Sequence, residues 1–204
     1  MEVRERIITE AFTLFIKYGI RSVTMDQISR HLGISKRTLY ENFEDKTELL
    51  QKSLDYLSSI KQDEAWELVR KSNNVIETIY LLARKGAEMK QLVNPLFFED
   101  IRKYYPELHT MLISESRSRN YSLTRTLLIK GISDGLFKDD LNIEMVNHYL
   151  HQVMNMVMNE KIFPKDKYRH EEIFNNIIMP YLIGISTSKG QQQIHQYFKR
   201  EIKF

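Results

Sequence analysis

Between residues 35 and 46 lie the side chains best suited to chemistry with a polyanion. Arg37 carries a planar fork able to form a bidentate contact with a guanine edge, and Thr38 can meet a thymine methyl or a phosphate. Lys36 and the Tyr40 hydroxyl suit phosphate contacts, which set register without reading sequence. Other constellations are thinner. Glu144, His148 and His151 recur at helical spacing that can ligate a metal, but short motifs of this kind arise by chance, and a partly exposed or interface histidine pair is the plainer reading. His31 is read as a dipole partner at a helix C-terminus rather than as a ligand. Ser114, Ser116 and Ser118 have no base near them, and there is neither a Gly-x-Ser-x-Gly elbow nor a phosphate-binding glycine loop. The absence of cysteine excludes disulfides, Cys-ligated zinc, iron–sulfur clusters and thiol catalysis. The chain is therefore read as non-enzymatic, with no metal and no cofactor.

The elements that must position these residues are helices. Seven Gly and four Pro in 204 residues are few turn-formers, and the apolar spacing is helical almost throughout. A first helix puts Ile7, Ala11, Leu14, Phe15 and Tyr18 on one side and ends at Gly19 as an αL cap. Thr24 and Gln27 form a capping box for a short helix, Met25 to Leu32, which Gly33 ends. Ser35 caps another, Lys36 to Asn42. Asp45 and Glu48 form a second box, opening a fourth helix that runs to about Arg70. Met25, Ile28 and Leu32 face Leu39 and Phe43 across the turn at Ile34, so the two short helices have the dimensions of a helix-turn-helix. What remains outward on the second is Lys36, Arg37, Thr38, Glu41 and, at the edge, Tyr40, the layout a recognition helix needs. The first 50 residues hold eight basic and eight acidic side chains. Placement, not net charge, carries the DNA-binding reading, and a modest salt slope is expected.

The run Ala11-x-x-Leu14-Phe15-x-x-x-Gly19, then Thr24-x-x-x-Ile28-x-x-x-Leu32-Gly33-Ile34-Ser35-Lys36-x-Thr38-Leu39-Tyr40-x-x-Phe43-x-x-Lys46-x-x-Leu49-Leu50, resembles the TetR family of bacterial transcriptional regulators. The resemblance covers roughly the first quarter of the chain and implies an N-terminal three-helix DNA-binding domain followed by an all-helical domain for ligand binding and dimerisation. It also implies a phosphate contact from Lys46, which the N-terminal amides and dipole of the fourth helix would reinforce. The DNA-contacting set is then Thr24, Ser35, Lys36, Arg37, Thr38, Tyr40 and Lys46. Glu41 and Asn42 depart from the aromatic or His common in the family. Glu41 repels phosphate and should point to a base edge or away from DNA.

The rest of the chain is read more coarsely. After a polar break at residues 71–74, helices are expected over Val75 to Leu92, from Pro95 (capped by Asn94) to before Pro106, and from Pro106 to about Asp134, ended by Gly135. Asp139-Asp140 marks a loop. Further helices run from Ile143 to Ile162, broken by Pro164, and from Tyr168 to Ser186 with a kink at Pro180. Gly190 precedes a last amphipathic piece with Ile194, Phe198 and Ile202. No strand is expected. Two C-terminal helices are apolar over a wide arc, and Met154, Met158, Ile173, Ile177 and Tyr181 are candidates for a dimer interface. Trp66, Tyr80, Phe97, Phe98, Tyr104, Tyr105, Met111 and Tyr121 can line an apolar pocket with hydroxyls for orientation, which suggests a hydrophobic or aromatic effector; taken singly, each is better read as core.

The fold expected is all-α, about nine to ten helices, with a helix-turn-helix domain over 1–46 and an effector-binding and dimerisation domain over 47–204. The function expected is a homodimeric, ligand-responsive repressor of a palindromic operator in double-stranded DNA. Two alternatives stand beside it: a DNA-binding organiser of the same fold with no small-molecule response, and a helical metal-binding protein or enzyme built on Glu144, His148 and His151. With no apolar run of about 20 residues and no signal-peptide core, no membrane partner is expected and the localisation is read as cytoplasmic.

Overall fold

The structure, a computed structural model, describes residues 2–157, 159, 161–164 and 166–198, four of them (90, 91, 115 and 170) by their backbone alone. It is all-α. The elements are α1 (Val3–Tyr18), α2 (Met25–Leu32), α3 (Lys36–Asn42), α4 (Lys46–Lys71), α5 (Val75–Leu92), α6 (Pro95–Tyr104), α7 (Pro106–Ser133), α8 (Ile143–Val157), α9 (His170–Ile173), a π-helical turn (Phe174–Ile178), α10 (Met179–Ile185) and α11 (Ser188–Phe198). The only extended pairing among the described residues is an isolated bridge between Phe137 and Ser186. The chain divides into two compact units: residues up to Glu64 with Met89–Ser116, and Ala65–Glu88 with the residues from Arg117 on.

The core of the first unit is apolar and local. Ile7, Ala11, Phe12 and Phe15 of α1 are buried with Ile28 and Leu32 of α2, Leu39 of α3, Phe43, and Leu49, Leu50 and Leu54 of α4. Tyr18, which the spacing placed on the apolar side, is exposed, and Phe12, which it did not, is buried. A corner binds α6 to α1. The Asn94 N–H donates to the Ile16 carbonyl at 2.8 Å, its amide nitrogen donates to the Lys17 carbonyl at 3.1 Å, and its side-chain oxygen caps Leu96. Gly19 ends α1 with φ +83° but ψ 156°, so it is not an αL cap. A Cβ there would lie 3.1 Å from Leu96 Cβ, so the close approach of α6 and the positive φ both require glycine.

The second unit packs Val75, Ile76, Leu127, Leu128, Leu136, Phe137, Leu182, Ile185 and Ile194. Here three boundaries differ from the sequence reading. α8 ends at Val157 instead of Ile162, because Asn159 turns the chain: its side-chain oxygen accepts from the Lys161 N–H at 3.0 Å and its carbonyl from Ile162 and Phe163. The helical run from His170 to Ile185 absorbs Pro180 through the π-helical turn, where the Met179 N–H donates to the Phe174 carbonyl. Pro180 has no N–H to offer the Asn176 carbonyl and its ring crowds that oxygen; the wider turn relieves both. Gly190 lies inside α11, which Thr187 caps through the Gly190 N–H at 3.1 Å. A Cβ at Gly190 would fall 2.0 Å from the Leu136 carbonyl oxygen.

Candidate nucleic-acid interface

The pose of α3 is set from both ends. At the start of α2, Thr24 accepts from the Gln27 N–H at 3.2 Å and the Gln27 side chain accepts from the Thr24 N–H at 2.7 Å. Both halves of the capping box are made. Gly33 ends α2 in the αL conformation, and the Ile34 N–H returns to the Ser29 carbonyl at 3.0 Å. Ser35 Oγ then accepts from the Thr38 N–H at 3.0 Å and shares a proton with the Thr38 hydroxyl at 2.9 Å. Leu39 and Phe43 are fully buried, which leaves Lys36, Arg37, Tyr40 and Glu41 exposed on α3. The second box is displaced by one residue. Asp45 accepts from the Glu48 N–H at 2.8 Å, but the Glu48 carboxylate accepts from Glu44, not Asp45, at 2.7 Å.

Most cations of this segment have structural partners. Arg4 lies over the Phe43 ring and pairs with Glu48, Arg6 donates to the Leu32 carbonyl at the end of α2, and His31 pairs with Glu10 at 2.9 Å. That last contact gives His31 a side-chain partner on α1 beyond the helix dipole. The Arg21 N–H donates to Asp100 at 2.8 Å, and its guanidinium lies over the Tyr104 ring and donates to the Tyr104 hydroxyl. On the outward face, Lys36 Nζ is 2.6 Å from Asp26 Oδ2, and Arg37 Nε is 2.8 Å from Glu41 Oε1. Lys46 opens α4 half-buried. Desolvation draws its pKa below the usual lysine range; the Asp100 carboxylate pushes it back up and Arg21 draws it down again.

A family model described as bacterial regulatory proteins, tetR family, matches residues 7–52, which spans α1 to the first turns of α4. Over nearly the full length the fold matches a transcriptional regulator of that family from Cytophaga hutchinsonii, at 16% identity and a TM-score of 0.67, covering 91% of this chain and 95% of that one. Residues 7–52 belong to the TetR family of bacterial regulatory proteins. A gamma-butyrolactone receptor (ArpA like protein) has the same fold, at 17% identity and a TM-score of 0.64, covering 96% of this chain and 94% of that one. The regulator SrpR of Pseudomonas putida is 32% identical over 77 residues, 33% of this chain but only 36% of SrpR's own length. The transcriptional repressor KstR2 of Mycolicibacterium smegmatis is 20% identical over 193 residues, 93% of each chain. The TetR family consists of transcriptional regulators, not enzymes.

The aromatic residues named as pocket candidates fall into separate groups. Phe97 is core, edge-on to Phe12 and to Phe98, which is itself exposed; Tyr105 and Met111 are half-buried against the same core. Burial, then the carboxylates of Asp100 and Asp45, raise the Tyr105 pKa. Met111 also lines an open cleft with Pro106, Glu107 and Thr110. In the second unit, Trp66 is half-buried, Tyr80 packs on Tyr197 and Phe198, and Tyr121 lies between His148 and His151, with ring centroids 5.2 and 5.1 Å away. Of the dimer candidates, Met154 is exposed, Ile177 and Tyr181 are half-buried, Ile173 is buried within the chain, and Met158 lies outside the described residues, as does Ile202.

The metal constellation resolves into a different arrangement. Glu144 accepts from Arg125 Nε at 2.7 Å and from the Tyr121 hydroxyl at 3.0 Å, which hold its carboxyl below the usual range. Among the described residues no three His, Asp or Glu side chains converge as a metal site. Sequence reasoning missed what lies beside it. Asn147 is fully buried; its oxygen is 2.5 Å from the Thr124 hydroxyl and its amide nitrogen donates to the Tyr121 carbonyl at 3.1 Å. His151 Nε2 is 2.9 Å from the same hydroxyl. The Thr124 hydroxyl also lies 2.9 Å from the Asn120 carbonyl, so Asn147, His151 and the α7 backbone converge on one side chain. The available signal was position: Asn147 sits one turn after Ile143, on the apolar arc of α8.

Proposed function

We propose that this protein is a one-component transcriptional regulator that binds a palindromic operator in double-stranded DNA as a two-fold homodimer and releases it when a small molecule binds. The observation that carries the reading is α3, fixed by Leu39, Phe43 and the caps at both of its neighbours, with Lys36, Arg37 and Tyr40 left outward. Thr24, Ser35, Thr38 and Lys46 complete the contact set, with the DNA-binding function in residues 1–46 and the effector-binding and dimerisation functions in 47–204. Two-fold symmetry would bring two recognition helices to successive major-groove faces, roughly 34–36 Å apart or more. Exposed Met145, Tyr149 and Met154 on α8, with the Tyr149 ring tilted against Tyr181 at 4.7 Å between centroids, support a dimer face along α8 and the His170–Ile185 run.

The effector is proposed to be hydrophobic or aromatic, in keeping with the aromatic content of the second unit. It acts by preferring a state in which the two recognition helices stand at a spacing other than the operator's, and operator affinity falls by that differential preference. α4 is the proposed lever, because this one helix carries Lys46 at its start and contributes residues to both units. Repression, as in KstR2, and a cytoplasmic site of action follow on this reading.

The test is selection of bound sequences from randomised duplex DNA at moderate salt, with Arg37→Ala alongside. A pseudo-palindrome, with changed preference in the variant, is the expected result. If the wild-type chain enriches nothing, in preparations refolded to strip any carried-over ligand, the reading is wrong.

A further inference from the structure

We infer that Glu41 is a positioning and specificity-determining residue of the reading surface, presenting the end of the Arg37 guanidinium to a guanine while repelling phosphate. The inference rests on the DNA-binding reading above and goes beyond it. Glu41 lies one turn after Arg37 on α3 and accepts from Arg37 Nε at 2.8 Å. The Arg37 side chain is otherwise open, at 88% exposure.

A guanidinium offers two bidentate edges: the side edge, Nε–H with one Nη–H, and the end edge, Nη1–H with Nη2–H. Glu41 occupies the first. The end edge remains, and it matches the O6 and N7 acceptors of guanine. A long, exposed arginine otherwise samples many rotamers, most of which reach phosphate as readily as a base. Tying Nε to the helix removes many of these, so the ordering is done before DNA arrives.

The charges do not serve the helix. Lys36 and Arg37 stand at the positive end of the α3 dipole and Glu41 at its negative end, so each is on the unfavourable side. The order, cation first and anion four residues later, is also the weaker orientation for a helical pair. Local stability would place these residues the other way round. Lys36 is held in the same manner by Asp26 across the turn, so the two outward cations of α3 face two carboxylates and the reading surface is neutral. A neutral surface gains little from phosphate alone, and affinity then depends on making the base contact.

The test uses the full chain and the duplex recovered by selection with the wild type. Binding is measured for that duplex, for versions with each G·C pair of the half-site replaced by A·T, and for an unrelated duplex of equal length. Glu41 is exposed and belongs to no core cluster, so Glu41→Gln and Glu41→Ala both keep the fold. The wild type is expected to lose roughly ten- to a hundredfold at one guanine position. Glu41→Gln keeps an acceptor for Nε but no charge; it should retain that discrimination while binding the unrelated duplex several-fold more tightly. Glu41→Ala should show the same gain on unrelated DNA and lose most of the discrimination at that one position. An alanine variant that selects the wild-type site with undiminished discrimination at every guanine overturns the inference and leaves DNA binding intact. A wild-type chain that enriches no sequence overturns both.

Discussion

At the residue scale, the unexpected centre of the second unit is a polar one. Asn147 is buried with both ends of its amide paired to α7, and breaking either contact leaves a buried polar group unsatisfied at a cost of about 1–3 kcal/mol. A side chain with these demands fixes the register of α8 on α7 in a way that interchangeable apolar contacts do not. His151 shares the Thr124 hydroxyl, and burial, the neighbouring His148 and Arg117 lower its pKa in that order, against a hydrogen bond to the Asn120 backbone that raises it. A histidine with a depressed folded pKa contributes stability that is present above its unfolded pKa and lost as pH falls through the folded one. Thermal melts should therefore show Tm dropping between neutral and mildly acidic pH, and His151→Gln should flatten the acid side of that profile. A variant with the same acid-side slope as the wild type would refute the assignment. The sequence singled out His151 only as a possible metal ligand or interface histidine and passed over Asn147, because a polar pair's burial depends on which helix it meets.

At the scale of elements, legibility follows locality. The starts of α2, α3 and α6 were readable because a cap is made by residues within four positions of each other: Thr24 with Gln27, Ser35 with Thr38, Asn94 with Leu96. The end of α8 and the π-helical turn were not, since Asn159 and Pro180 each permit more than one local solution and packing selects between them. The α1–α6 corner is of the same kind. Gly19 announces a helix end, but only the structure shows that Leu96 stands against it. Gly19→Ala meets both a positive φ and that contact, and should destabilise the protein by about 1–3 kcal/mol in denaturant unfolding. A change within a few tenths of a kcal/mol would mean that the corner relaxes freely and does not hold α6 in place.

At the scale of the whole molecule, the exposed cations that remain for DNA are few. Of the eight basic residues in the first 50, Arg4, Arg6, Arg21 and Arg30 donate to partners within the fold, and Lys36 and Arg37 already face carboxylates. If α3 reads DNA as proposed, a dimer that makes two or three phosphate contacts per half-site should lose affinity with a log–log salt slope of roughly −4 to −5. A slope near −10 in a titration from low to moderate salt would show that the ion pairs do not restrain phosphate binding. The paired cations carry a further consequence, in the cell rather than in the cuvette. A chromosome offers millions of non-specific sites, and a regulator with a strongly basic face is mostly stored on them. A chain whose Lys36 and Arg37 are already neutralised by Asp26 and Glu41 would stay free in larger proportion, so a small number of copies per cell could keep an operator occupied.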